Sequence, residues 1–411
     1  MHTPRNTELG TKLQAAVDEA FEATQVAWLR RVVEQPSHTY ARADVEAAAA
    51  IVDELAAEVG LTRTLHPDPS GKFADHRVYA TAATGADDRA LALVGHIDTV
   101  FPRSLGFLEF RREGDSVFGP GVLDMKSGVS STLFALRALR HVAPEVHASL
   151  RARVVIVSDE EVGSPSSHAL YDHLAPRTTA GLVFESGRKQ DLIVTARKGG
   201  GVYTLTVHGK AAHAGNDHKS GVNAIHALAL IVGRIEAMTN YGRGVTLNVG
   251  LIEGGTAKNT VPERASCQID ARFETVSDAE HVGAALQAIT REPFAGIDPA
   301  LVPERLRQVR VELSGGVTRP PMEPIAASQR LRLAYEPYAG ALGLGVGEAK
   351  LQGGGSDANL LVAAGVPCID GLGPYGEFFH QVSEWCSLTS LRRRTAALAW
   401  FLAEQAANDY A

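Results

Sequence analysis

The stretch Val157-Ser158-Asp159-Glu160-Glu161-Val162-Gly163-Ser164 places three acids in a row, two of them adjacent glutamates. The run before it, Arg153-Val154-Val155-Ile156-Val157, is rich in β-branched residues and predicts a buried parallel strand. A strand that ends in acids, a glycine and a serine is opening into a loop, and in α/β sheets ligands bind at the carboxyl ends of strands. Carboxylates crowded there repel one another unless a cation neutralises them. Adjacent glutamates can also divide labour, one ligating a metal while the other moves protons. The chemistry implied is metal-dependent hydrolysis, with further ligands to come from elsewhere in the chain.

Other apolar runs end in the same way. Leu91-Ala92-Leu93-Val94-Gly95 leads into His96-Ile97-Asp98, where two side chains two apart on extended backbone point to the same side. Such a pair can serve as a metal ligand and the carboxylate that fixes its second ring nitrogen, or simply as a hydrogen-bonded histidine at a strand end. Asp124 lies in Gly119-Pro120-Gly121-Val122-Leu123-Asp124-Met125-Lys126, ahead of a helix predicted over about 128–140; alone it would read as a turn or N-cap residue. Ala180-Gly181-Leu182-Val183-Phe184-Glu185 again runs from apolar strand to acid. His380 closes Gly371 to His380, after a strand predicted at Val366 to Asp370.

Several elements must hold these residues in place. Helices are predicted over residues 11–33, 43–59, 328–342 and 387–405, with a further one opened by Gly353-Gly354-Gly355-Ser356-Asp357-Ala358-Asn359 after a strand. Val78-Tyr79-Ala80 reads as another strand. Between about 198 and 318 the texture changes to strands in pairs (Gly201 to His208, Val245 to Ile252, Arg264 to Phe273, Val309 to Leu313) around helices at 222–238 and 277–291, which suggests an inserted α+β sandwich. The glycines 353–355 lack the Lys-Ser/Thr of a P-loop. A chain of 411 residues is long for one core, so two domains are expected. The net charge of −7 disfavours a nucleic-acid partner. Cys267, Cys368 and Cys386 are odd in number and far apart, which excludes a disulfide framework and fits buried thiols in a reduced compartment. Met1 to Gly10 lacks the apolar core of a signal peptide and no run is long enough to span a bilayer, so the expected location is cytoplasmic and no membrane partner is expected.

Taken in order, these phrases resemble the aminoacylase/carboxypeptidase G family of dizinc exopeptidases. The resemblance rests on Gly95-His96-Ile97-Asp98-Thr99-Val100, Gly121-Val122-Leu123-Asp124-Met125-Lys126-Ser127-Gly128, Ser158-Asp159-Glu160-Glu161-Val162-Gly163-Ser164, Ala212-His213-Ala214-Gly215, Asn259-Thr260-Val261-Pro262 and Gly354-Gly355-Ser356-Asp357-Ala358. It implies a catalytic domain of α/β class, a mixed sheet with helices on both faces, formed by residues 1–197 and 319–411, with residues 198–318 as an inserted lid and dimerisation domain. It also implies two Zn²⁺ ions per subunit, with Mn²⁺ or Co²⁺ compatible with the same oxygen and imidazole donors. Asp124 would bridge them, His96 and Glu185 would complete one site, and Glu161 and His380 the other. Asp98 would orient His96, Glu160 would be general base and acid toward a metal-activated water, the peptide after Asp124 would be cis, and His213 would stabilise the oxyanion from its own or the partner subunit.

The expected reaction is cleavage of an amide bond beside a free carboxylate, as in a carboxypeptidase acting on a C-terminal glutamate or a hydrolase of N-acyl-amino acids. Candidates to hold the substrate carboxylate are Asn259, Arg272 and Arg319, with Lys198, Gly355 and Ser356 lining the pocket. Arg272 alternates with apolar residues on a strand, so its other reading is a surface ion pair. Competing readings are an N-deacylase of the acetylornithine deacetylase or succinyl-diaminopimelate desuccinylase type, an amino-acid carbamoylase, and a non-catalytic binding protein on the same scaffold. A homodimer through the insert is the expected assembly.

Overall fold

Ala90–His96 and Ala152–Val157 are buried along their whole lengths, as unbroken apolar runs without alternation require. In the computed structural model, which describes residue 4 and residues 6–405, they form the centre of a six-stranded mixed sheet. The expectation for Met1 to Gly10 falls partly on residues 1–3 and 5, which lie outside those described. The chain divides into two compact units, one of Met1–Ala196, Pro324–Gln352 and Ser356–Ala411, the other of Arg197–Glu323 and Gly353–Gly355. Among the described residues, no helix is long and apolar enough to cross a membrane.

In the first unit the strand order is Thr62–His66, His76–Ala80, Ala152–Val157, Ala90–His96, Thr178–Val183 and Cys368–Ile369. The first two pairings are antiparallel and the remaining three parallel. Register then positions the site. His96 lies opposite Val157 and Val94 opposite Val183, so three parallel strands end level and their loops leave side by side. The helix Ser127–Val142, buried on almost every face, packs against Leu388–Gln405, and Thr7–Ala20 packs on both. Leu133, Leu136 and Leu139 are fully buried on it, and burial contributes about 1.5–3 kcal/mol for each such side chain.

Three local expectations are corrected. The helix predicted over 11–33 is Thr7–Ala20, a π-helical turn Phe21–Val26 and Ala27–Glu34. Buried Leu13, Val17 and Phe21 are spaced by four, but the next buried apolar residue, Val26, comes five later. A π turn accommodates the extra residue, and it turns Gln25 inward to donate to Ser130 Oγ and Thr395 Oγ1. Among the described residues no extended strand directly precedes Gly353: Glu348 and Gln352 are single bridge residues, Glu348 pairing with Ile193. The strand predicted at Val366 to Asp370 shrinks to Cys368–Ile369, since Pro367 has no N–H to contribute to a ladder.

The second unit is a four-stranded antiparallel sheet in the order Thr246–Gly254, Arg264–Phe273, Gly199–His208, Arg310–Arg319. Arg264–Phe273 alternates between buried and more exposed residues, as a sheet with one covered face must. Ala224–Glu236 and Val276–Arg291 contact it, and Leu205, Leu228, Ile231, Ile269, Phe273 and Leu286 belong to its separate core. The final strand runs six residues past Leu313. Cys267, Cys368 and Cys386 are all free and buried.

Candidate metal centre

His96 ends its strand almost fully buried. Its Nδ1 lies 3.0 Å from the carbonyl oxygen of Asp98 and 3.4 Å from Asp98 Oδ1. The opposite nitrogen, Nε2, faces Asp124 Oδ1 at 3.2 Å and Glu185 Oε1 at 3.7 Å. His380 has the matching arrangement on the far side of Asp124: its Nε2 lies 3.3 Å from Asp124 Oδ2 and 2.9 Å from Glu161 Oε2. Asp124 therefore offers one oxygen to each histidine, and each histidine is accompanied by one glutamate. Four donors about 2.0–2.1 Å from a tetrahedral ion sit about 3.3 Å from one another, which these contacts match. The donor set fits two divalent ions sharing Asp124. Ligand atoms of His96, Asp124 and Glu161, and again of His96, Glu160 and Glu185, lie within 4.8 Å of one another, which brings Glu160 into the same cluster.

The loops are held by buried polar side chains. Asp98, fully buried, accepts from Thr39 Oγ1 at 2.8 Å and from the backbone N–H groups of Glu160 and Glu161 at 3.3 Å each. One carboxylate thus serves both the His96 side and the two-glutamate loop. Asp159 Oδ2 accepts from Ser166 N (2.6 Å) and Ser167 N (3.1 Å), and its Oδ1 from Ser167 Oγ (2.6 Å), which ties the loop to the start of the helix Ser167–Leu174. Ser164, at φ +58, donates to Asp357 Oδ1 at 2.6 Å, and Tyr171 donates to Asp357 Oδ2 at 2.6 Å. Asp124 lies in the turn Val122–Lys126, and its peptide bond to Met125 is cis.

Charge crowding shifts the protonation of the whole cluster. Burial and the nearby Asp124 charge push Glu161 up to about 8. Burial and the same charge hold Glu185 well above the usual carboxylate range. Bonds to Asp124 and Glu161 raise His380 to about 11. Burial opposes the charge on His96, but its contacts with Asp124 and Asp98 prevail and raise it. Asp124 moves the opposite way: burial works against its charge, and the bonds to His380 and His96 overcome that and hold it low. A cluster that retains protons this firmly is one a cation can occupy by displacing them.

Two residues here escape a motif-based reading. Glu384, fully buried, accepts from Leu123 N at 2.7 Å and Asp124 N at 3.0 Å, and burial pushes it up to about 8. Lys126, also fully buried, donates to the Gln35 carbonyl at 3.0 Å, and burial pushes it down to about 7. The available signal for Glu384 was an acid four residues after His380, directly before the short strand Trp385–Ser387.

The remaining candidates divide between the units. Ser356, in the first, is fully buried: its Oγ donates to Asp370 Oδ2 at 2.6 Å and accepts from Ala358 N at 3.2 Å, capping the helix Asp357–Ala363. His213, Asn259, Arg272, Arg319, Lys198 and Gly355 all lie in the second unit. His213 and Asn259 meet at a small two-stranded antiparallel sheet, in which Thr260 pairs with His213 and Ala214 N donates to the Asn259 carbonyl. His213 Nδ1 accepts from Gly215 N and Asn216 N at 3.1 and 3.0 Å, which leaves Nε2 as the protonated, donating nitrogen of the neutral ring. Arg272 is bidentate to Asp270, both bonds 2.8 Å, an ion pair between half-exposed side chains. Lys198 Nζ donates to the Gly244 carbonyl at 2.7 Å and lies 3.3 Å from Glu274. Arg319 is buried against Gly355, where a Cβ would sit 2.4 Å from Arg319 Cδ, so a side chain at 355 would displace the arginine.

Comparisons with known proteins find peptidases. Residues 77–222 match a model of peptidase family M28, and residues 195–298 match a peptidase dimerisation domain of the M20 type. Carboxypeptidase G2 of Pseudomonas sp. (strain RS-16) is 28% identical over 390 residues, covering 93% of this chain and 88% of that one. The fold is shared with the aminopeptidase PepT of Bacillus cereus (TM-score 0.74, 20% identity, covering 92% of this chain and 97% of that one). It is shared also with the YXEP protein of Bacillus subtilis, described as a dinuclear metal binding peptidase of the M20 family (TM-score 0.65, 15% identity, 94% and 98% covered). The whole-length likeness to carboxypeptidase G2, the match to a peptidase dimerisation domain and the paired donor sets around Asp124 mark the chain as a hydrolytic enzyme similar to the M20 metallopeptidases.

Proposed function

We propose that this enzyme hydrolyses an amide bond next to a free carboxylate, in the manner of a carboxypeptidase that removes a C-terminal glutamate or cleaves an N-acyl-amino acid. The observation that carries the reading is Asp124, with one oxygen facing His96 and the other facing His380, beside Glu160 in the same donor cluster. The likeness to a carboxypeptidase over 93% of the chain supports the choice of substrate class. Two divalent ions, Zn²⁺ by preference and Mn²⁺ or Co²⁺ as substitutes, would be held by His96, Asp124 and Glu185 and by His380, Asp124 and Glu161, and when bound they polarise the scissile carbonyl and acidify water.

The chain's own residues do the rest. Glu160 takes the proton of the attacking water and returns it to the leaving amine. Asp98 keeps the His96 ring and the Glu160–Glu161 backbone in register with each other. His213 donates from Nε2 to the developing oxyanion, from its own chain or a second copy. Asn259, Arg272 and Arg319 are the candidates to hold the substrate carboxylate, with Lys198, Gly355 and Ser356 as further candidates. The match to a dimerisation domain supports a homodimer through the second unit. Three free thiols are in keeping with a cytoplasmic location.

The test is a substrate panel on metal-stripped enzyme reconstituted with Zn²⁺, Mn²⁺ or Co²⁺. N-acyl-glutamates and dipeptides ending in glutamate should be turned over, and chelation should abolish it. Higher kcat/KM on N-acetylornithine or N-succinyl-diaminopimelate would overturn the substrate assignment in favour of an N-deacylase.

A further inference from the structure

Glu384 stands apart from the donor cluster, yet it connects two of the loops that build it. The segment that carries His380 is a hairpin: Gly376–Glu377 pairs with Trp385–Ser387, and that strand pairs in turn with Ser116–Phe118. Within its loop, Gln381 N donates to the Phe378 carbonyl and Glu384 N to the Gln381 carbonyl, so His380 and Glu384 belong to one folded turn. From that turn the Glu384 side chain reaches 260 positions back along the chain, where Oε1 accepts the backbone N–H groups of Leu123 and Asp124. The two N–H groups lie on either side of the Leu123 α-carbon and fix the direction in which the Asp124 side chain leaves the backbone.

Glu384 Oε2, by contrast, is buried without any hydrogen-bond partner among the described residues. A carboxyl with one oxygen unpaired in the interior costs stability that an apolar side chain of the same size would not. Glutamate at 384 therefore has to be explained by what Oε1 does. It is tied to both protein ligands that meet at 3.3 Å on the His380 side of the cluster, Asp124 Oδ2 and His380 Nε2. The third ligand of that side, Glu161, comes from a different loop held by Asp98. The His96 side has its own support in the level strand ends.

We propose that Glu384 is a positioning residue for the metal site formed by His380, Asp124 and Glu161: by accepting the Leu123 and Asp124 N–H groups from the His380 hairpin, it sets the spacing of that site and hence its affinity. The proposal rests on the two-ion reading above.

The test is a titration of metal-free enzyme with Zn²⁺ in competition with a chromophoric chelator, on wild type, Glu384→Gln and Glu384→Met. Gln keeps the accepting oxygen; Met keeps the volume and loses it. Wild type and the Gln variant should each bind two ions with similar affinities. The Met variant should keep one tight site and weaken the other by about 10–100-fold, the usual effect of losing an outer hydrogen-bond partner. Two ions bound by the Met variant at wild-type affinity would overturn the proposal, as would equal weakening in the Gln variant, which would assign the effect to charge. A wild type that takes up a single ion overturns the two-ion reading itself. Should the Met variant not fold, hydrogen exchange decides on wild type without metal: protected amides at Leu123 and Asp124 support the bond, and rapid exchange at both refutes it.

Discussion

Glu160 and Glu161 are neighbours in sequence with different partners. Glu161 Oε2 lies 2.9 Å from Nε2 of the half-exposed His380, whereas Glu160 groups with His96 and Glu185. Glu160→Ala should therefore keep both metal sites, measured by bound-metal analysis, while kcat drops by about two to four orders of magnitude with little change in KM. Unchanged kcat would remove Glu160 from the mechanism. The protons held on the cluster make a second prediction. His380 is raised to about 11 and Glu161 to about 8, and both must lose a proton to ligate. Metal loading at pH 7 should thus release protons, and affinity should rise with pH, by about tenfold per unit for each proton displaced. Calorimetric titration in buffers of different ionisation enthalpy reads this directly, and a heat independent of buffer would contradict it.

The candidate ligands sit at a strand end or in the turns and loops that follow, and strands and helices decide where those loops begin. The two-glutamate loop is pinned at one end by Asp98 and at the other by Asp357, which takes hydrogen bonds from Ser164 and from Tyr171 on the helix Ser167–Leu174. Asp357→Ala would leave a buried serine hydroxyl and a buried tyrosine hydroxyl without this acceptor, at a cost of about 1–3 kcal/mol each. Urea unfolding should show a lower midpoint with an unchanged slope. A midpoint equal to wild type would mean that the clamp contributes nothing. The Gly354-Gly355-Ser356-Asp357-Ala358 motif is thereby explained in part through loop support: Ser356 caps the helix and Asp357 braces the glutamate loop. Periodicity alone foresaw the main helices here because they have one apolar face. It missed the π turn at Phe21–Val26, where a polar residue, Gln25, faces inward to hydroxyls from two distant helices.

The molecule as a whole concentrates like charge in one place: Asp98, Asp124, Glu160, Glu161, Glu185 and Glu384 all belong to the centre or its supports. Bound metal relieves that repulsion only in the folded state, so chelation should lower the thermal midpoint, and excess metal at about 100 times Kd should restore about 2.7 kcal/mol per site. A melting curve indifferent to chelator would argue that the cluster does not bind an ion. The candidate ligands were legible in the sequence, because His96, Asp124, Glu161, Glu185 and His380 stand in short phrases at the ends of apolar runs or in glycine-rich turns. Those phrases determine donor chemistry, since residue type alone sets whether a side chain can hold a divalent cation. What they leave open is distance. Only the parallel register of three strands brings the His96, Glu161 and Glu185 loops level, and only contacts made 28 to 260 positions apart show Asp124 facing both histidines with Glu384 behind it. The place of Glu384 four residues after His380 is visible in the sequence, but its contact with the Leu123 and Asp124 N–H groups is not. Its role is created by the fold that buries it.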